Sequence, residues 1–248
     1  MYSTVGSEIP LPRVSTPVGV VVVGVDGSTW GHEALMWAAR HAWTSGSRVR
    51  VLRGPAGPDL PADLGLSHAT HGYPGVGFDV RRAGNPMADL LLATRSGDLL
   101  VLGHRGLRRG PLEIGGMVQP LVAAAECDVV IVRGRHAAVR GENRCVLALP
   151  GRGPRAGTVR SVATELARVQ HSGLHVECLE PIPPRRGSVG ILPGPDRQSD
   201  LIQPHEVVAR CTGADVVVVA RTDTNSTRLG LVTRAAIQHA PCPVYVVH

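Results

Sequence analysis

The chain of 248 residues contains no lysine, so all 26 of its basic residues are arginine. This absence excludes a P-loop of the Walker type and any lysine that would form a Schiff base, because both need a lysine amine. Aromatic residues make up only 3% of the chain, which leaves Val, Leu, Ala and Ile to build the core. The net charge of +6 favours anionic partners. However, the arginines are scattered and few aromatic rings could stack on bases, which argues against nucleic acid.

The chain also lacks paired cysteines and long apolar runs. None of its five cysteines forms a CxxC pair or a Cys/His cluster at zinc spacing, so we expect small core residues in a reducing cytosol and no metal site. No apolar run approaches the roughly 20 residues that span a bilayer. Residues 1–17 lack the basic and apolar segments of a signal peptide, and we interpret them as a mobile tail. These features predict a cytoplasmic protein without membrane contact.

The first part of the chain alternates Val- and Leu-rich runs with segments of helical spacing. The run 18–25 is typical of a strand buried on both faces of a parallel sheet. After a turn at 26–28, apolar residues recur at helical spacing until Gly46 ends the helix. Such βαβ units predict a doubly wound parallel sheet, whose ligands lie beyond the carboxyl ends of the strands. The Gly/Pro-rich segment 54–77 is predicted to be a poor helix former. The other predicted strands are 48–52, 78–82, 98–102 and 128–133.

The same pattern repeats in the second part of the chain. The stretch TGADVVVVART echoes SGDLLVLGHRG, so Asp215 matches Asp98. Likewise APCPVYVVH echoes AECDVVIVR, so Cys242 matches Cys127. A second helix is predicted to stop at Gly173, and the second copy is shorter where its third strand should lie.

This internal repeat predicts two flavodoxin-like parallel-sheet domains in tandem. They are expected over 18–134 and 144–248, with a linker over 134–143. We expect them to pack as an intrachain pseudo-dimer with their last strands at the interface. A homodimer of such chains is a further expectation.

The stretch GHRGLRRGPLEIGGM, residues 103–117, follows the fourth strand. Glycines between a strand and a helix let the backbone approach an anion and present its N–H groups to it. The same glycines also permit a tight loop without a ligand, and both interpretations stay open. Asp26 is open to two interpretations as well: a ligand-binding acid or the cap of the next helix. We interpret His104 as an exposed loop residue, and Ser28 as a cap or turn residue rather than a nucleophile.

Several features of the first copy resemble the universal stress protein family. They are the stretch VVVGVDGS with its Asp26, the GNP ahead of a helix, and the spacing of Gly103, Gly106 and Gly116. The family's signature after the fourth strand is Gly-x2-Gly-x9-Gly-(Ser/Thr). The resemblance covers nearly the whole chain beyond the tail. It implies a flavodoxin-like fold of the adenine nucleotide alpha hydrolase type, which often dimerises and in some members binds ATP.

The resemblance implies a site for ATP or AMP, with or without Mg²⁺, in the first copy. Asp26 would contact the ribose or the metal and phosphates, and the three signature glycines would lie along the phosphates. Met117 stands where the family has Ser or Thr, so a hydrogen bond to phosphate of about 0.5–1.5 kcal/mol is lost. Val118 keeps the family's apolar residue type. Residues 53–54 depart from the apolar residue that usually lines the adenine pocket.

Arginines near this loop could offset the missing hydroxyl by pairing with phosphate. They are Arg105, Arg108 and Arg109, of which the last two are equally interpreted as a solvated face. In the second copy Ala220 and Asp223 replace the first two signature glycines, and Pro150 replaces the acid. We therefore expect no nucleotide in the second copy.

The leading hypothesis is a stress-associated sensor or binding module for ATP or AMP. No catalytic residue is predicted, because no base is positioned by a motif and no lysine is available to neutralise a transferring phosphoryl group. The first alternative is a nucleotide-free scaffold or regulator that binds a partner through the segment 54–77. The second alternative is a slow ATPase.

Overall fold

The computed structural model describes residues 19–54, 59–95, 97–105, 115–151, 153–177, 204–221 and 229–248, with the backbone alone at 59–63 and 204–205. The strands are β1 (Val21–Val25), β2 (Val49–Arg53), β3 (Phe78–Arg82), β4 (Leu99–Gly103), β5 (Asp128–Val132), β6 (Cys145–Leu149), β7 (Gly173–Val176), β8 (Val216–Ala220) and β9 (Val244–Val247). The helices are α1 (Thr29–Ser45), α2 (Asp59–Gly72), α3 (Pro86–Ala93), α4 (Val118–Ala124), α5 (His136–Arg140), α6 (Ala156–Val169), α7 (Pro204–Arg210) and α8 (Leu231–His239).

All nine described strands form one sheet in the order β3-β2-β1-β4-β5-β9-β8-β6-β7. Pairing is parallel except between β5 and β9, which run antiparallel with Val130 opposite Tyr245. We call β1–β5 with α1–α4 the first half, and β6–β9 with α6–α8 the second half. Because the two halves meet in an antiparallel pair, the carboxyl ends of their strands lie at opposite edges of the sheet. The predicted α/β class and parallel order are confirmed, although both copies of the repeat share one sheet.

The helices cover both faces of this sheet because successive strand residues point to opposite sides. In β1, Val21 and Val23 pack against α1 on one face, and Val22 packs against α3 and α4 on the other. The helix α6 continues the first layer over the second half, and α7 and α8 continue the other layer. The central strands β1, β4, β5, β6, β8 and β9 are therefore apolar at nearly every position, which explains their Val-rich runs, whereas the edge strands β3 and β7 are largely exposed.

Matching aspartates anchor the start of the first strand in each half. Asp98 accepts hydrogen bonds from the amide of Val20 at 2.8 Å and from the amide of Arg95 at 2.8 Å. Asp215, which is only 1% exposed, accepts from the amides of Asn143 at 2.9 Å and Cys145 at 3.1 Å. The match between the two aspartates in the sequence therefore reflects a shared structural role.

The segment predicted to be a poor helix former contains a helix, α2. Its residues Leu66 and Ala69 pack on the α1 layer, and Ala69 is fully buried. Gly65 lies so close to α1 that a methyl group there would be 2.8 Å from Nδ1 of His32. Tertiary packing thus overrides the low helix propensity of this segment, and the prediction was wrong.

The residue that ends α1 is the one predicted from the sequence, whereas α6 does not end at its predicted residue. Gly46 ends α1 with a left-handed φ of 72°, as its position predicts. In the second half His171 takes the left-handed conformation, with φ of 51°, and Gly173 is already the first residue of β7. The prediction that Gly173 ends a helix was therefore wrong. The stretch predicted as a linker contains the short helix α5.

Candidate functional site

The order of the strands in the first half reverses between the parallel strands β1 and β4, and this switch point is where doubly wound sheets bind ligands. Asp26 follows β1 at this point. Its Oδ1 accepts hydrogen bonds from the amide of Ser28 at 3.0 Å and from the Ser28 hydroxyl at 2.6 Å. Ser28 is the residue that caps α1, because its Oγ accepts from the amide of Gly31 at 3.0 Å. Asp26 supports this cap and does not form it, so one of its two predicted roles is corrected.

Ser28 also joins the ends of β1 and β4. Its Oγ lies 3.3 Å from the carbonyl oxygen of Arg105, which follows β4. The half-buried carboxylate of Asp26 and the main chain of Arg105 are therefore brought together, as the sequence predicted for a site at this edge. Gly54 borders the same place, because a methyl group on it would lie 3.8 Å from Cα and Cβ of Asp26.

The first signature glycine is required by packing. A methyl group on Gly103 would lie 2.5 Å from the carbonyl oxygen and 2.6 Å from the carbonyl carbon of Trp30, in the first turn of α1. Real Cβ atoms do not approach backbone atoms so closely, so any larger residue would push α1 away from β4. Helix packing alone thus accounts for glycine at this position.

His104 is buried, with only 7% of its surface exposed, and the prediction of an exposed loop residue was wrong. Its ring meets the edge of Trp30 at a centroid distance of 4.3 Å. Burial lowers the pKa of His104 to about 3, helped by the positive charges of Arg133 and Arg105. A neutral imidazole at this place is a packing residue and not an acid or base for work near neutral pH.

The guanidinium of Arg105 lies 5.9 Å from the centre of the Trp30 ring, within the range of a cation–π contact. Sequence reasoning missed Trp30 as a site residue. Its only signal was its place directly after the capping stretch DGST, which puts it in the first turn of α1. Trp30 therefore joins Gly103, His104 and Arg105 in one cluster around the end of β4.

The far end of the glycine-rich stretch is fixed to the end of β4. The amide of Gly115 donates to the carbonyl oxygen of His104 at 2.7 Å, and the amide of Val118 donates to the carbonyl oxygen of Gly115 at 3.0 Å. Val118 is buried in the core beneath α4. The amide of Val118 is thus already used by the carbonyl oxygen of Gly115, and its side chain faces the core and not the site.

Met117 occupies the N-cap position of α4 and makes no side-chain hydrogen bond there. It is 43% exposed, and the preceding Gly116 is exposed too. Its φ of −89° and ψ of −18° are helical and not those of a residue that caps with its side chain, so a Ser or Thr there would supply a hydroxyl for a ligand rather than a helix cap. Gly106, Arg108 and Arg109 lie outside the described residues.

The amino ends of β1, β2 and β4 carry a cavity of about 580 Å³. It lies at the opposite edge from Asp26 and is lined by Arg48, Arg50 and Arg95 among others. Asp98 lines it as well, but its carboxylate is used to hold backbone amides. The cavity and the predicted nucleotide site are therefore different places.

Two negative findings concern the described part of the chain. No group of three or more metal-ligating side chains comes together in these residues. None of the helices found there is both long and apolar enough to cross a bilayer.

Solved structures of other proteins have a similar fold. No family model and no curated protein matches the sequence. A structure described as a candidate universal stress protein of Pseudomonas aeruginosa UCBPP-PA14 aligns with 92% of this chain and 92% of its own, at 14% identity and a TM-score of 0.63. A universal stress protein of Archaeoglobus fulgidus DSM 4304 aligns with 92% of this chain and 95% of its own, at 15% identity and a TM-score of 0.64.

These similarities define the class of the protein by its architecture. The chain has the universal stress protein fold over nearly its whole length. The resemblance drawn from the sequence is thus confirmed for the fold.

Proposed function

We propose that the first half binds an adenine nucleotide, ATP or AMP, at the carboxyl ends of β1 and β4. The protein would act as a stress-response sensor or binding module and not as an efficient enzyme. The observation that carries this proposal is the junction at Ser28, which holds the carboxylate of Asp26 beside the main chain of Arg105. The universal stress protein fold and the position of this junction at the switch point support it.

The residues at this junction fit part of a nucleotide. The Asp26 carboxylate accepts hydrogen bonds, and ribose hydroxyls are donors of the right kind. Gly54 leaves room beside Asp26 because it has no side chain. Arg105 supplies a positive charge that would pair with phosphate. Any Mg²⁺ would arrive with the phosphates, and Asp26 would be an acid available to it at this junction.

Two features weaken this site. Met117 provides no hydroxyl, and the amide of Val118 already donates to Gly115. Each missing neutral hydrogen bond reduces binding by about 0.5–1.5 kcal/mol, so roughly a few-fold to tenfold in affinity. We therefore expect millimolar to high micromolar binding. We expect the protein in the cytoplasm, where adenine nucleotides are abundant and where its described cysteines would stay free thiols, as they are in this structure.

A second candidate function is a nucleotide-free scaffold. The packing requirement at Gly103 favours it, because the glycine that marks the loop as a phosphate site is needed without any ligand. The partner surface would then be α2 and its surroundings in the segment 54–77. Leu64 on α2 is 56% exposed and would be part of that surface.

The test compares nucleotide binding by the wild-type protein and by Asp26→Asn. Asparagine keeps the oxygen that accepts from Ser28 but removes the charge, so the fold should persist. We expect calorimetric titration with ATP–Mg and AMP to show binding by the wild type and at least about fivefold weaker binding by Asp26→Asn.

Asp79→Asn is the matched control, because Asp79 is an exposed aspartate on the edge strand β3. It should bind like the wild type. Absence of binding at millimolar ATP and AMP, together with no nucleotide released on denaturing the purified protein, would favour the scaffold. Turnover of bound ATP would point instead to the slow ATPase.

A further inference from the structure

Three basic residues meet at the carboxyl edge of the second half. Arg221 follows β8, and its amide donates to the carbonyl oxygen of Val247 at 2.9 Å, so it lies beside the end of β9. His248 follows β9 directly. Arg155 is the N-cap residue of α6, the helix that follows β6, and β6 is the strand paired with β8. We call these three residues the basic edge.

The basic edge occupies the switch point of the second half, between β6 and β8. It therefore has the topological position that Asp26 and Arg105 have in the first half, but at the opposite edge of the sheet. The helices α6 and α8 both begin here, and neither N-cap residue makes a side-chain capping bond. The amides of Ala156 and Gly230 at these starts already donate to the carbonyl oxygens of Gly153 and Arg221, at 3.0 Å each. The positive ends of the two helix dipoles add to the positive potential of the side chains.

The side chains of the basic edge repel one another. Burial lowers the pKa of Arg221, and the charge of Arg155 lowers it further. Burial also lowers the pKa of His248, followed by the charges of Arg221 and Arg155, while Asp128 and a hydrogen bond to the backbone of Ala125 act in the opposite direction. These effects mean that the three groups lie within electrostatic reach of one another.

Little negative charge compensates this cluster in the described residues. Asp128 is the acid that acts on His248, and its two oxygens already accept from the Tyr245 hydroxyl at 2.9 Å and the His248 amide at 2.8 Å. No carboxylate of the described part forms an ion pair with Arg155 or Arg221. Within that same part, the buried Nδ1 of His248 has no hydrogen-bond partner.

We propose that the basic edge binds a phosphate-type dianion, either inorganic phosphate or the phosphate group of a small metabolite. Guanidinium groups present paired N–H donors that match phosphate oxygens, and a dianion would relieve the repulsion among the three side chains. This inference goes beyond the proposed function because it concerns the other half of the molecule. It agrees with Pro150 standing where an acid would hold a ribose, since the site recognises the anion and not a nucleoside.

The test uses sulfate as the probe, because sulfate stays a dianion across the pH range in which phosphate and histidine titrate. Calorimetric titration at constant ionic strength should show saturable binding to the full chain. Arg155→Gln should weaken this binding about tenfold. Arg155 is the residue to change because Arg221 also donates to the carbonyl oxygens of Ala123 and Ala125 at the end of α4 and contributes to the fold.

The matched control is Arg135→Gln. Arg135 is likewise an N-cap residue without a side-chain capping bond, but it is exposed and belongs to α5 at the other edge of the sheet. It should bind sulfate like the wild type. The proposal is overturned if the wild type binds no sulfate saturably, or if the two variants lose the same affinity.

A second measurement follows the pH dependence through His248. Sulfate binding should tighten as the pH falls from about 7.5 to about 5.5, because the bound dianion favours the protonated imidazole against the charges of Arg221 and Arg155. In His248→Gln this increase should be reduced. An unchanged pH dependence in that variant would remove His248 from the site and contradict the proposal.

A competition arm distinguishes the two sources of the anion. Displacement of sulfate by inorganic phosphate alone identifies the free ion, and displacement by AMP as well identifies a phosphate monoester. The arm is repeated in Asp26→Asn, so that nucleotide bound in the first half does not interfere. Failure of ATP binding in the first half leaves the sulfate result unaffected, so the two proposals are judged separately.

Discussion

The two halves of this molecule share one strand plan and differ in chemistry where that plan binds ligands. In the first half the switch point carries the acid Asp26, a capping serine and a glycine. In the second half the corresponding edge carries Pro150 and Ala220, with Arg155 and Arg221 beside them. At the amino ends of the strands the halves remain alike, since Asp98 and Asp215 perform the same task. The two halves therefore share the residues that hold the amino ends of their strands and differ in the residues at the carboxyl ends.

The largest expected effect concerns Gly103 at the end of β4, compared with its counterpart Ala220 at the end of β8. Gly103→Ala should lower the free energy of unfolding by about 3 kcal/mol, because its methyl group would collide with the backbone of Trp30. The reciprocal change in the second half, Ala220→Gly, should cost only about 1 kcal/mol, from one lost buried methyl and a more flexible backbone. Urea unfolding measures both. Equal effects would contradict the close approach of α1 to β4.

The second prediction tests what the halves have in common. Asp215→Ala should lower the free energy of unfolding by about 2 kcal/mol, because the buried amides of Asn143 and Cys145 would lose a charged partner. Asp98→Ala should cost less, about 1 kcal/mol, since Asp98 is only half-buried and water can replace it. The measurement is again urea unfolding. A loss for Asp98→Ala as large as that for Asp215→Ala would contradict the role given to the deeper burial of Asp215.

The third prediction concerns acid. His104 titrates near pH 6.5 in the unfolded chain and only at about pH 3 in the folded protein, so between these values the unfolded state binds more protons. Stability should therefore fall as the pH drops below about 6.5, by about 1 kcal/mol from His104 between pH 7.5 and pH 5.5.

His104→Gln should flatten the decline without abolishing it. His41 on α1 contributes with the same sign, because burial lowers its pKa to about 4. Unfolding midpoints in urea at several pH values provide the slope. The second half has Arg221 at the matching position. If the pH dependence of stability in His104→Gln equals that of the wild type, the burial of His104 is contradicted.

The smallest expected effect concerns the helix that follows the fourth strand. Met117→Ser should change the free energy of unfolding by less than about 0.5 kcal/mol, because Met117 has helical φ and ψ and not the extended backbone of a capping serine, and should tighten ATP binding a few-fold to tenfold. The matched change is Gly230→Ser at the N-cap of α8, which should add a few tenths of a kcal/mol and leave ATP binding unchanged. If neither variant changes ATP binding, the start of α4 does not contact phosphate.

The sequence predicted the central strands well because each of them is an apolar run, which is a local signal. It also contained the cap of α1, since Ser28 before a helical pattern is a local signal. The packing of α2 on α1, with Gly65 against His32 and Ala69 buried, is not local and leaves no signal in the segment itself. For the same reason His104 was taken as exposed: its burial depends on Trp30, which is far away in sequence.

The candidate site was predictable in its location and less so in its details. Alternating strands and helices place Asp26 and Arg105 at one edge of the sheet, as expected. The hydrogen bond that occupies the Val118 amide, and the basic edge of the second half, depend on how helices settle on the strands. No spacing of residues along the chain indicates either feature.

The most direct test of the account maps AMP onto the protein by the amide chemical shifts of the full chain. If the first half binds nucleotide, saturable shifts are expected at the ends of β1 and β4, around Asp26, Gly54 and Arg105, and they should be lost in Asp26→Asn. Shifts at Arg155 and Arg221 would report the separate anion site. The absence of saturable shifts around Asp26 at millimolar AMP would contradict nucleotide binding by the first half.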